Sequence, residues 1–267
     1  MTTESFFPSS TGLGDVYVST WIPDAEKPRG VVQLTHGMAE HISRYSGFAS
    51  YLCERGFVVT GQDHIGHGKT SGTGTDGYFG ETDGWTNLIK DMQTLHANTK
   101  AAYPDLPYVL FGHSMGSFLA RSYASRCGTD IDGFIFSGTA GKNAALPIAK
   151  WIANRDIKKG KLKTPNQSLD KLAFGAYAKA IPDAKTPFDW LSHDSAIVEA
   201  YMQDPKCGFI FTTAAFRDLF DGLMEIGQKD WASKVPHKPI LVLSGACDPV
   251  GGKNAKGPRE VAQALRD

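Results

Sequence analysis

The chain lacks an excess of charge of either sign: 28 basic and 28 acidic side chains among 267 residues give a formal net charge of +0 at pH 7. That balance removes the electrostatic footprint expected of a nucleic-acid binder. No run approaches the roughly 18 consecutive apolar residues that a membrane-spanning helix needs. The opening Met1-Thr2-Thr3-Glu4-Ser5 has neither a basic region nor a long apolar core, so no export signal is expected. Cysteine is scarce, and Cys53, Cys127, Cys207 and Cys247 stand far apart without forming C-x-x-C. That spacing argues against a zinc site or a disulfide framework and for reduced, structural thiols in a cytoplasm. There is no internal repeat and no low-complexity tail. What is present, 41% apolar and 21% charged residues with aromatics throughout, is the composition of a soluble globular chain with a sizeable core.

Strand and helix patterns alternate along the first half. Residues 16–22 read as an antiparallel-type starting strand, followed by short apolar strands at 30–34, 57–59, 108–111 and 133–137. Helical spacing occurs at 45–55, at 85–103 (Trp85, Leu88, Ile89, Met92, Leu95) and at 114–126, with Gly56 and Gly128 as stops. The Gly- and Thr-rich stretch 70–84 reads as an irregular loop. Strands buried on both faces and separated by helices mean parallel βαβ units. The alternation then breaks. Residues 139–234 read as helices at 145–157, 168–181 and 194–202, with a further apolar stripe of Phe216, Leu219, Phe220 and Leu223. The strand pattern returns at 239–243. The expected organisation is a first core part (1–138), a helical cap insertion (139–234) and a core return (235–267).

Gly112-His113-Ser114-Met115-Gly116 matches G-x-S-x-G, a weak signal alone but a specific one between a strand and a helix. Gly112 and Gly116 permit the sharp turn, which raises Ser114 Oγ above the carboxyl ends of the strands at a helix N-terminus. A nucleophilic serine needs donors for the oxyanion. The backbone N–H of Met115 is one, and the N–H of Met38 in the loop His36-Gly37-Met38 is the other, with His36 and Gly37 shaping that loop. Asp248 directly follows the returning strand on the same rim, where it either orients a catalytic base or caps the next turn.

These motifs, with Glu40-His41, Arg44-Tyr45, Asp63-His64-Ile65-Gly66-His67-Gly68, Asp189-Trp190-Leu191-Ser192-His193-Asp194, Asp204-Pro205 and Cys207-Gly208, resemble the monoacylglycerol lipase/lysophospholipase-like branch of the α/β-hydrolases nearly end to end. Two departures are Ile65, where the branch tends to carry a basic or other residue, and His193, where arginine is common. The resemblance implies an α/β-hydrolase fold: a mostly parallel central sheet with helices on both faces and an inserted helical cap. It implies a serine carboxylic-ester hydrolase acting on small acyl esters such as monoacylglycerols or lysophospholipids. Ser114 would be the nucleophile, Asp248 the acid, and Met38 and Met115 the oxyanion donors. It implies no cofactor, and it leaves room for transient contact between the cap and a lipid surface.

In this fold the catalytic histidine follows the acid. Nineteen residues follow Asp248, none of them histidine. Completing the fold takes roughly 25–35 residues for a loop, a helix, a second loop and a last strand. The expectation is therefore that the last strand and its histidine are missing from the 267 residues. Of the histidines present, His193 in the cap is the one that could substitute. His113 is set aside because adjacent side chains on such a turn point apart, and His64 and His67 read as turn histidines rather than metal ligands. Two other uses of the scaffold stay open. One is a non-catalytic acyl-ligand binder. The other is an amidase or aminopeptidase, with Glu199, Asp204 or Asp221 holding a substrate ammonium. Trp151, Phe188, Phe209, Phe211, Phe216 and Leu223 form either an acyl pocket or, for most of them, the core of the cap.

Overall fold

Short β-branched runs cannot bury both faces unless neighbouring strands and covering helices supply the partners. The computed structural model, which describes residues 1–70 and 74–267, arranges them as one seven-stranded sheet. Its strands are β1 (Thr2–Pro8), β2 (Asp15–Trp21), β3 (Gly30–Thr35), β4 (Phe57–Gln62), β5 (Tyr108–His113), β6 (Gly133–Ser137) and β7 (Ile240–Leu243), in the spatial order β1-β2-β4-β3-β5-β6-β7. β1 and β2 pair antiparallel to each other and β2 antiparallel to β4, while β4, β3, β5, β6 and β7 run parallel. The helices are α1 (Ser46–Cys53), α2 (Gly84–Ala102), α3 (Met115–Cys127), α4 (Leu146–Lys158), α5 (Gln167–Phe174), α6 (Ser195–Gln203), α7 (Thr213–Glu225) and α8 (Lys256–Ala264).

The period-2 alternation of strand side chains divides the core. Val32, Leu34 and Val59 join Tyr17, Trp21 and Ile42 beneath Ala49 of α1. Val31, Val58 and Leu110 point the other way, into a larger cluster with Leu88 and Met92 of α2 and Leu119 of α3. Helices thus cover both faces. Gln33, buried in the middle strand, is satisfied by Tyr108 Oη, which donates to its Oε1 at 2.7 Å, and by Met92 O, which accepts from its Nε2 at 3.3 Å. Among the described residues no helix is long and apolar enough to cross a membrane.

Two details differ from the sequence reading. β1 was not expected. It is an edge strand with only Phe7 buried, so its residues carry no alternation. The expected helix over 168–181 stops at Phe174, where Gly175 closes it, and continues as a 3₁₀ turn at Ala178–Ala180. The expected loop at 70–84 is irregular where it is described and gives way to α2 at Gly84; residues 71–73 lie outside the described residues. α4 to α7 fall between β6 and β7, as the helical text predicts.

Candidate active site

The carboxyl ends of β5, β6 and β7 form one rim, because Ser114 N donates to Ser137 O at 2.9 Å and Gly138 N to Leu243 O at 2.9 Å. Ser114 sits at the junction of β5 and α3 with φ 53° and ψ −121°, a left-handed conformation that a non-glycine residue holds only at a cost. Close packing enforces it. A Cβ on Gly116 would overlap the backbone oxygen of Thr35, so the helix can start this near β3 only with glycine there.

The loop after β3 lies against this turn. A Cβ on Gly37 would stand 3.2 Å from Ser114 Cβ and 2.6 Å from Glu40 Oε1. Glu40 is buried and ties the loop together. Its Oε1 accepts from Gly37 N at 2.5 Å and from Tyr45 Oη at 2.8 Å, and its other oxygen accepts from the Arg44 guanidinium. The sequence reading quoted Glu40, Arg44 and Tyr45 for resemblance and gave them no role. Their spacing from the loop was visible, but the inward turn of the carboxylate was not. Ala39 has φ 52°, so this loop too is strained. Among the described residues, the N–H groups of Met38 and Met115 donate to no protein acceptor.

Beneath the loop lie three buried imidazoles, His36, His64 and His67, with ring centroids 4.1 Å apart for the first pair and 5.1 Å for His36 and His67. His36 Nδ1 lies 2.8 Å from Gly37 O, its Nε2 accepts from His64 N at 3.0 Å, and His67 Nε2 accepts from Ala39 N at 3.4 Å. Burial, with mutual repulsion as the lesser cause for His36, holds that group well below the usual imidazole range. Burial lowers His64 to about 4 and His67 to about 3. All three are neutral supports for the loop.

Asp248 follows β7 and caps the next turn, the second of the two roles the sequence allowed. Its Oδ1 accepts from Val250 N at 2.9 Å, capping the next turn, while Oδ2 faces Gly138. Burial raises its pKa, against the opposing pull of the Val250 N–H and His113. The His113 ring does leave Ser114, with Nδ1 3.2 Å from Ser137 Oγ, but it ends beside Gly138, on the same cavity as Asp248. The ring thus points away from Ser114, as expected of adjacent side chains on this turn, while still lining the cavity. His193 also lines this cavity. Among the described residues no histidine nitrogen hydrogen-bonds Ser114 Oγ or Asp248.

The cavity has a volume of about 880 Å³. Ser114, Asp248, Glu40 and Arg44 stand at its polar part, and Phe174, Ile181, Phe188, Trp190, Ile197 and Phe209 from the insertion supply an apolar wall. Of the aromatic and aliphatic residues singled out in the sequence, Phe188 and Phe209 line it. Phe211 and Phe216 are fully buried core, Leu223 packs against that core, and Trp151 is corrected to a surface residue, 63% exposed on α4. Glu199, Asp204 and Asp221 are not on the cavity wall. They bind Gln203, His41 and Lys150 respectively.

The insertion grips the loop after β3. Ala39 O accepts from Tyr201 Oη at 2.9 Å and from Gly208 N at 2.9 Å, and His41 Nε2 lies 2.8 Å from Asp204 Oδ2. Burial, reinforced by the Asp204 carboxylate, pushes the nearby Cys207 thiol up to about 12.

Residues 26–266 match the family described as Serine aminopeptidase, S33. The monoacylglycerol lipase of Mycolicibacterium smegmatis is 30% identical over 251 residues, which cover 91% of this chain and 80% of that protein. The human monoglyceride lipase is 30% identical over 231 residues, 85% of this chain and 68% of its own. A thermostable carboxyl esterase from Bacillus coagulans, solved in complex with glycerol, superposes with a TM-score of 0.92 at 35% identity, covering 99% of this chain and 86% of that one. A lipase in an open form gives a TM-score of 0.91 at 28% identity, over 100% and 86% of the two chains. The chain belongs to this family of serine hydrolases and has the α/β-hydrolase fold.

Proposed function

We propose that this α/β-hydrolase, a carboxylic-ester hydrolase of the serine type, cleaves monoacylglycerols or similar single-chain acyl esters through an acyl-Ser114 intermediate. The observation that carries the reading is the strained Ser114 at the polar part of an apolar-walled cavity of about 880 Å³, with two free N–H groups beside it. The acyl chain would lie along Phe188 and Phe209, leaving the ester carbonyl at Ser114.

Ser114 Oγ attacks the carbonyl carbon and gives up its proton to a base. The carbonyl oxygen becomes an oxyanion that accepts from Met38 N–H and Met115 N–H. Collapse breaks the ester C–O bond, the alcohol leaves with the proton, and water then repeats the sequence on the acyl-enzyme. The base the reaction needs is an imidazole between Ser114 Oγ and Asp248, whose free Oδ2 would receive its second N–H. The raised pKa of Asp248 fits a carboxylate awaiting such a cationic partner.

The insertion over 139–234 would act as the cap, and its exposed apolar residues would meet a lipid surface transiently. Monomeric esters dissolved in a cytoplasm would reach the same cavity. The aminopeptidase alternative loses the three acids named for it, Glu199, Asp204 and Asp221, which lie off the cavity wall, while the acyl reading keeps its apolar wall.

The test is intact-mass spectrometry before and after a fluorophosphonate. A single adduct that disappears in Ser114→Ala supports the assignment of the nucleophile, and an adduct that survives in Ser114→Ala refutes it. Without an engaged base, the residual rate of the 267 residues alone should not exceed the ~10³–10⁴-fold over water that an oxyanion hole and binding supply.

A further inference from the structure

His41, Asp204 and Cys207 come from opposite sides of the seam between the loop after β3 and the insertion, and each offers one ligand atom within 4.8 Å of the other two. We propose that these three side chains bind a zinc ion, with water as the fourth ligand, at a site separate from Ser114 and outside the ester chemistry.

The donor set is an imidazole nitrogen, a thiolate sulfur and a carboxylate oxygen, the three protein ligand types zinc takes. Bonds of about 2.0–2.3 Å place the ligand atoms of a tetrahedral zinc site roughly 3.3–3.8 Å apart. The observed cluster reaches that spacing if His41 Nε2 and Asp204 Oδ2, now 2.8 Å apart, separate slightly and the sulfur moves inward. Without a metal, Asp204 holds the other two by its contact with His41 and a hydrogen bond from the Cys207 thiol; a metal ion would use all three ligand atoms at once.

The surroundings are prepared for it. Asp204 Oδ1 is already held by Lys206 N at 2.8 Å, which aims Oδ2 at the seam. Cys207 N donates to Asp204 O at 3.0 Å, so carboxylate and thiol sit on one tight turn after α6. Arg44 and Glu40, the charges besides Asp204 that act on Cys207, pair with each other. Charge balances as well: a divalent cation with one carboxylate and one thiolate sums to zero beside that neutral pair. Binding breaks the Cys207 S–H bond and forms a metal–sulfur bond, releasing that proton to solvent. The proton on His41 Nε2 is replaced by the metal, and the ring carries its proton on Nδ1 instead. The His41 and Asp204 side chains are 16% and 30% exposed, which gives an ion a way in.

The sequence offered no hint, because 163 positions separate His41 from Asp204 and the scattered cysteines spoke against zinc. The reading is independent of the ester chemistry, and its test does not use turnover. Cobalt(II) is titrated into the full, reduced chain after chelation. The expected result is one equivalent bound, with a thiolate-to-cobalt charge-transfer band and the visible bands of four-coordinate cobalt, all bleached by zinc. Cys207→Ser should abolish the charge-transfer band, His41→Gln and Asp204→Asn should each weaken binding at least about tenfold, and Cys247→Ser should change nothing. Circular dichroism confirms that each variant is folded. Absence of stoichiometric binding, a band that survives Cys207→Ser, or unchanged affinity in both His41→Gln and Asp204→Asn overturns the proposal.

Discussion

Gly37 shows how little room surrounds the reacting atoms. A methyl group there meets Glu40 Oε1 at 2.6 Å and Ser114 Cβ at 3.2 Å, so the loop must move and carry Met38 N–H with it. Gly37→Ala should lower kcat about 10²-fold, the loss typical of one displaced oxyanion donor, with little change in KM. Steady-state kinetics on a soluble short-chain ester measures both. The three imidazoles below act on stability rather than rate. Their folded pKa values lie below the unfolded ~6.5, so an acidified unfolded chain takes up protons that the folded one refuses. Stability should therefore fall as pH drops from about 6.5 toward 4, by up to about 1.4 kcal/mol per pH unit for each group. Asp218, pushed up to about 6 mainly by burial, opposes this, and so do Asp63, Asp91, Asp170 and Asp248, which burial also raises, though these act toward the acid end of the range. Urea midpoints at pH 7, 6 and 5 show the trend, and His64→Gln should flatten it.

Elements with one buried face were legible, and elements without one were not. α2 was placed within a residue of its bounds because Trp85, Leu88, Ile89, Met92 and Leu95 all face the core. β1 was invisible because a strand exposed at six of seven positions has no pattern to read. A local turn was legible too: Ser114 could be placed between the strand before it and the helix after it. Glu40 and the seam at His41 could not, since their meaning arises from side-chain directions and contacts across 163 positions. At this scale α7 depends on its first residue boundary. Thr212 Oγ1 accepts from Ala215 N at 3.3 Å and donates to Gly77 O at 2.8 Å, so it both caps the helix and pins a loop. Thr212→Ala should cost about 1–2 kcal/mol, read as a lower urea midpoint with an unchanged slope.

Across the whole molecule, α4 of the insertion carries two of the most exposed large apolar side chains among the described residues. Ile148 and Trp151, 65% and 63% exposed, share a face of α4, and the Arg155 guanidinium lies 5.7 Å from the Trp151 ring. Lys158, Lys159, Lys161 and Lys163 follow within a few residues. A proposed contact with lipid would use this face. Sedimentation with anionic vesicles should deplete the protein from the supernatant, and Trp151→Ala should reduce that depletion several-fold without altering turnover of a soluble ester. No loss of co-sedimentation would remove α4 from the contact.

Ala39 accepts two hydrogen bonds from the insertion at a single carbonyl, next to the peptide that aims the Met38 N–H. An insertion that lifts to admit a long acyl chain lets go of both. The loop, already strained at φ 52°, then loses the brace that holds its shape. Entry and reactivity would then belong to different states of the same molecule. An open form would load but be slack where the charge develops, and a closed form would be ready to react but shut. Turnover on bulky substrates would alternate between the two, and each cycle would pass through the breaking and remaking of contacts at one backbone oxygen.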